Sequence, residues 1–92
     1  PRVVSLAKIL VHYSTRVQPG DRVVIRGFPL EPDAAPLIRE VYREVLRAGA
    51  HPHTLIDIPG IRYLHLAEAS EGQLRHISPF IQTLIDTFDV DI

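Results

Sequence analysis

The stretch that most constrains this chain is Arg22-Val23-Val24-Ile25-Arg26. Its three central residues are β-branched with no polar residue among them, as expected of a parallel strand covered on both faces. Its flanks fix the context. Before it, Val17-Gln18-Pro19-Gly20-Asp21 breaks the preceding pattern. Pro19 presets φ and Gly20 can take the positive φ that a type II turn needs next, so the chain reverses there. After a loop from Gly27 to Asp33 comes an amphipathic helix. Leu37, Ile38, Val41, Tyr42, Val45 and Leu46 fill one half of its wheel, and Arg39, Glu40, Arg43, Glu44 and Arg47 fill the other as a solvated face with weak ion pairs. Asp33 stands at the N-cap position, Pro36 falls in the first turn where no internal hydrogen bond is lost, and Gly49 is placed for a left-handed C′ residue. His51 to Asp57 forms a second strand. The resulting β-α-β unit should be parallel and right-handed.

A first helix precedes this unit. At about 100° per residue, Val3, Val4, Leu6, Ala7, Ile9, Leu10, Val11 and Tyr13 cover more than half its circumference and leave Ser5, Lys8 and His12 as one polar stripe. One sheet can cover only one side of so apolar a helix, so the rest should meet something outside the domain. Beyond the second strand, Ile58-Pro59-Gly60 is a turn and Ile61 to Ala69 carries a helical pattern. Ser70-Glu71-Gly72 breaks it, and Gln73 to Ile77 allows one turn. Ser78-Pro79 is an N-cap with proline at the first helical position, opening a stripe of Phe80, Ile81, Leu84, Ile85 and Phe88. Asp89-Val90-Asp91-Ile92 then alternates like the start of a strand. The expected fold is α/β, a three-layer Rossmann-like half with a short parallel sheet (strands about 22–27, 51–57 and 89–92) and flanking helices. Residues 1–92 form a single domain. The missing initiator methionine and the strand interrupted at Ile92 lead us to expect a truncated piece of a longer chain.

Composition excludes several roles. The 92 residues contain no cysteine, so disulfide frameworks, thiolate metal sites and cysteine nucleophiles are out, and a reducing cytoplasm is the expected compartment. Ten basic residues against eleven acidic ones lack the footprint of a nucleic-acid binder. No segment has the length and apolarity of a membrane span, and the N-terminus is not a signal peptide.

Candidate chemistry is sparse. His51-Pro52-His53 places two imidazoles on one face of a strand, but zinc wants three or four protein ligands, and His12, His65 and His76 lie on separate elements. The carboxyl ends of the strands, where α/β proteins usually hold ligands, collect Arg26, Gly27, Glu31, Asp33 and Asp57. The turn from Gly27 to Pro32 has a single glycine, so it lacks the phosphate-cradling loop that would let Asp57 bind a ribose. Ser5, Ser14, Ser70 and Ser78 have no glycine elbow around them, and Ser14 and Ser78 read as helix-end residues. Tyr13, Tyr42 and Tyr63 fall on apolar helix faces as core or interface residues. We therefore assign no catalytic, cofactor-binding or metal residue in this chain.

Leu6-Ala7, Leu10-Val11, Tyr13-Ser14, Val17-Gln18-Pro19-Gly20-Asp21 and Ala48-Gly49-Ala50-His51-Pro52 together resemble the N-terminal domain of the thermophilic metalloaminopeptidases, the aminopeptidase T and aminopeptidase S group of peptidase family M29. The resemblance implies a parent several times longer than this chain, a cytoplasmic homodimer that removes N-terminal residues from peptides with two divalent ions, zinc or cobalt. It also implies that the ligands lie in a C-terminal catalytic domain, with this domain packing on it and walling an internal cavity. None of the family's ligands maps onto a residue of this sequence. The loops from Phe28 to Ala35 and from Ile58 to Ser70 carry no family pattern. The alternative is a small Rossmann-like ligand- or protein-binding module unrelated to peptidases.

Overall fold

The three β-branched residues of the central strand have almost no exposed surface: Val23, Val24 and Ile25 are all buried. In the computed structural model, which describes residues 2–27 and 34–92, they lie in β1 (Arg22–Gly27), the middle strand of a three-stranded sheet of order β2-β1-β3. Both neighbours are parallel to it. β2 (His51–Ile56) pairs in the register Arg22 to His51 through Gly27 to Ile56, and β3 (Val90–Asp91) pairs Val23 with Val90. Hydrogen bonds extend β3's pairing to Asp89 and Ile92, since Asp89 N–H donates to Arg22 O and Arg26 N–H to Ile92 O. The α/β architecture and all three strands are therefore as the sequence predicts.

α1 (Arg2–Lys8) passes into a π-helical segment (Ile9–Ser14), and α2 (Ala34–Arg47) lies beside them on one face of the sheet. Val3 and Val4 approach Pro36 and Arg39 at one end, while His12 meets Glu44 at the other. The two helices thus run side by side in the same direction. Their inner faces and the sheet enclose the core of Ala7, Val11, Val17, Val23, Ile25, Val41, Val45 and Ala50, with Val90 and Ile92 completing it from β3.

The turns are built as their residues dictate. Asp21 N–H donates to Gln18 O at 3.1 Å across Pro19-Gly20, and Gly20 has φ 86°. α2 ends in a Schellman motif. Gly49, at φ 79°, donates to Leu46 O while Ala50 donates to Val45 O, so two carbonyls of the last turn are satisfied. The two turns also meet, because Gly20 N–H donates to Gly49 O at 2.9 Å.

The other face of the sheet is thinly covered. β2 leads through 57–60 into α3 (Ile61–Glu68), α4 (Glu71–Arg75) and α5 (Pro79–Thr87). Of these, α5 reaches the sheet, where Leu84 is buried and lines a cleft with Val24, Phe88 and Val90. Phe80, Ile81 and Ile85, expected in its buried stripe, are exposed, and α3 and α4 bury no residue. The radius of gyration, 15.4 Å, exceeds the ~12 Å of a compact domain of this length, consistent with helices that stand away from the core. α4 starts earlier than the pattern Gln73 to Ile77 suggests. Ser70 and Gln73 form a reciprocal capping box that draws Glu71 and Gly72 into the helix.

Candidate functional site

Glu44 is the one buried charged residue among the described residues, 4% exposed. This corrects its expected place on the solvated face of α2. It shares a helical row with Leu37, Val41 and Ala48, and α1 with its π extension lies over that row. Its carboxylate is held at both oxygens. His12 Nε2 lies 3.1 Å from Oε1, and Arg47 Nη1 donates to Oε2 at 3.0 Å. A carboxylate only accepts, so His12 carries its proton on Nε2 in this contact. His12 stays exposed like Ser5 and Lys8, but its ring reaches across to Glu44.

Burial alone would raise the Glu44 carboxyl. The hydrogen bonds from His12 and Arg47, with the guanidinium and imidazole charges behind them, outweigh that effect and hold it below the ordinary glutamate value. A carboxyl depressed in the folded state contributes stability that is present above its unfolded value of about 4.3 and is lost as pH falls through its folded value. Glu44→Gln should therefore cost about 1–2 kcal/mol at pH 7, a modest figure because both partners are half exposed and solvent screens them. The gap from wild type should narrow as pH falls from 5 towards 3. Thermal melts of both proteins across that range check this, and parallel curves would contradict it. The arrangement is a structural clamp between two helices. It holds no nucleophile and opens onto no described cleft.

The residues singled out from the sequence are dispersed. His51 and His53 lie on the same face of β2, both exposed, and the His53 ring meets Phe88 edge-on at 5.1 Å. His65 and His76, on separate elements in sequence, line one hollow of about 440 Å³ with Glu68. Among the described residues, no group of three or more His, Asp and Glu side chains is placed to hold a metal ion. At the carboxyl ends of the strands Arg26 is paired with Asp91 at 3.0 Å. Asp57 shares the wall of an open hollow of about 680 Å³ with Ile58, Ile61, Arg62 and His65. Glu31 and Asp33, including the expected N-cap of α2, lie outside the described residues.

Ser70 and Ser78 cap α4 and α5, where their hydroxyls accept from Gln73 and Phe80 N–H, and Ser14 ends the π segment. Tyr13 and Tyr63 are three-quarters exposed and Tyr42 is 38% exposed, so none is a core residue. No helix among the described residues is long and apolar enough to cross a membrane.

The segments Leu6–Asp21 and Pro36–Pro52, which contain the residues of the family resemblance, are thus neighbours in space, joined by helix packing, by His12–Glu44 and by the Gly20–Gly49 turn contact. Comparison with family models gives a match across residues 1–90 to the thermophilic metalloprotease (M29) family. The chain belongs to this family. Compared with curated proteins one by one, it matches none. Within the matched span the first helix, the Pro19-Gly20 turn, β1, α2 and the turn at Gly49 pack together as one unit. The family consists of metalloproteases, yet the donor set described above does not fit a metal ion.

Proposed function

We propose that this chain is the non-catalytic N-terminal domain of a metal-dependent aminopeptidase, whose parent hydrolyses N-terminal residues from peptides in the cytoplasm with two divalent ions, zinc or cobalt. The observation that carries this reading is the family match over residues 1–90. Two features of the molecule support the division of labour. Among the described residues, histidines and carboxylates serve in pairing and clamping contacts rather than gathering at one point. Its unpartnered apolar surface is large for a small domain. Ile58, Tyr63, Leu66, Ile77 and Ile85 are all more than 60% exposed on the 57–87 side, as is Tyr13 on the first helix. Such surfaces mark contact with other protein.

On this reading the domain packs on the C-terminal catalytic domain of the same chain, contributes a wall of the internal cavity and takes part in a homodimer. The parent's turnover of an aminoacyl chromogenic substrate should disappear with a chelator and return with added cobalt or zinc. Chelator-resistant turnover would overturn the metal-dependent reading.

A further inference from the structure

Residues 3–13 carry their apolar side chains at the spacing of a regular α-helix, yet the chain does not wind as one throughout. From Ile9 to Ser14 it takes the wider π form, a winding rare except where a helix is locally forced open. Thr15 N–H reaches back five residues to Leu10 O at 3.1 Å, and Val17 N–H reaches six residues to Val11 O at 3.0 Å. The Thr15 hydroxyl adds a second bond to Leu10 O at 2.8 Å. The segment leaves through Arg16 at φ 51°, the described non-glycine residue with positive φ and a conformation that side-chain-bearing residues rarely adopt. Both departures lie within four residues of His12, the side chain of this segment that reaches across to a buried, doubly held carboxylate on α2.

We infer that residues 9–16 are a two-state segment, latched in the wide winding by the His12–Glu44 hydrogen bond against the regular α winding that the side-chain spacing encodes. In the α state His12 would lose its reach to Glu44 and stand free in the row of Ser5 and Lys8. In the wide state its half-exposed ring holds the Glu44 carboxylate, while Arg47 on the far side keeps that carboxylate in place. Leu6, Ile9 and Tyr13 form the outward apolar row, at 43, 49 and 76% exposure. Leu6 precedes the segment and Tyr13 rides on it, so unlatching turns one relative to the other. The latch thus sets which row the first helix presents outward, whatever the parent's activity.

His12→Ala tests this in the full-length protein, at a half-exposed position where substitution leaves the core intact. Its crystal structure should show Thr15 N–H bonded to Val11 O in place of Leu10 O, and Arg16 returned to negative φ. Hydrogen exchange across residues 12–17 should speed up by about tenfold, as expected on losing a hydrogen bond to a charged group. His12→Gln, whose amide N–H can take the place of Nε2, should keep the wide winding and slow exchange. Wide winding with wild-type exchange in His12→Ala would overturn the proposal. So would equal loss in both variants, which would assign the effect to the ring rather than to the hydrogen bond.

Discussion

Ile25→Ala is expected to destabilise the domain by about 2–5 kcal/mol, the range for removing most of a large aliphatic side chain from a closed core. Ile25 is 2% exposed at the centre of the middle strand, in one cluster with Ala7, Val11, Val41 and Val45, which come from three separate elements. β1 itself cannot shift into the space without disturbing its pairing to β2 and β3 on both sides. At roughly 0.05–0.15 kcal/mol per residue a chain of this length has only about 5–14 kcal/mol of stability, so the loss is a large share of the total. Ile85→Ala removes the same number of carbons from a residue 67% exposed on α5 and should change stability by no more than about 0.5 kcal/mol. Urea midpoints for the two variants, compared at constant m, measure the difference. Similar losses would mean that the α1/α2 side of the sheet is not where the molecule's stability resides.

That contrast also shows which parts of the fold could be read from the residues. β1, β2 and α2 are legible because their local signals agree with their surroundings. Val23-Val24-Ile25 has no polar alternation and is buried on both faces, and Gly49 occupies the left-handed position that closes α2. Ser78-Pro79 opens α5 as its cap chemistry predicts. The remaining features depend on neighbours that a one-dimensional pattern does not contain. Glu44 is polar in type, and only the first helix lying across Leu37, Val41 and Ala48 makes its position buried. The π winding of Ile9–Ser14 leaves no mark in the apolar spacing, although a threonine able to bond Leu10 O sits at its exit. The apolar stripe of α5 predicts burial correctly only at Leu84, because no described element packs over Phe80, Ile81 and Ile85, which stay exposed. Ser70-Glu71-Gly72, expected to break the helical pattern, instead opens α4, because the reciprocal bonds of Ser70 and Gln73 cap a helix that begins at Glu71.

Several of the described candidate residues are occupied by other contacts. Paired histidines on a strand and carboxylates at a sheet edge have the right chemistry for ligands, but chemistry at a site depends on convergence. Here His53 packs on Phe88, Arg26 pairs with Asp91, and Glu44 is committed to His12 and Arg47. A residue held by such partners is a poor candidate for metal ligation or proton transfer, because either role would first have to break those contacts.

The second large effect follows from the proposed non-catalytic role of the domain. The 92-residue chain supplied with cobalt or zinc should show no turnover of aminoacyl chromogenic substrates, because a hydrolytic metal centre needs about three protein ligands around an open position. Its full-length parent should turn them over in a metal-dependent manner. Loss is expected to be complete rather than partial, since the domain is proposed to contribute walls and contacts and no ligand. The measurement that tests the account most directly is therefore this assay, run side by side on the 92-residue chain and the full-length parent with matched metal additions. The account predicts silence in the first and metal-dependent hydrolysis in the second. Metal-responsive hydrolysis by the 92-residue chain alone would contradict it.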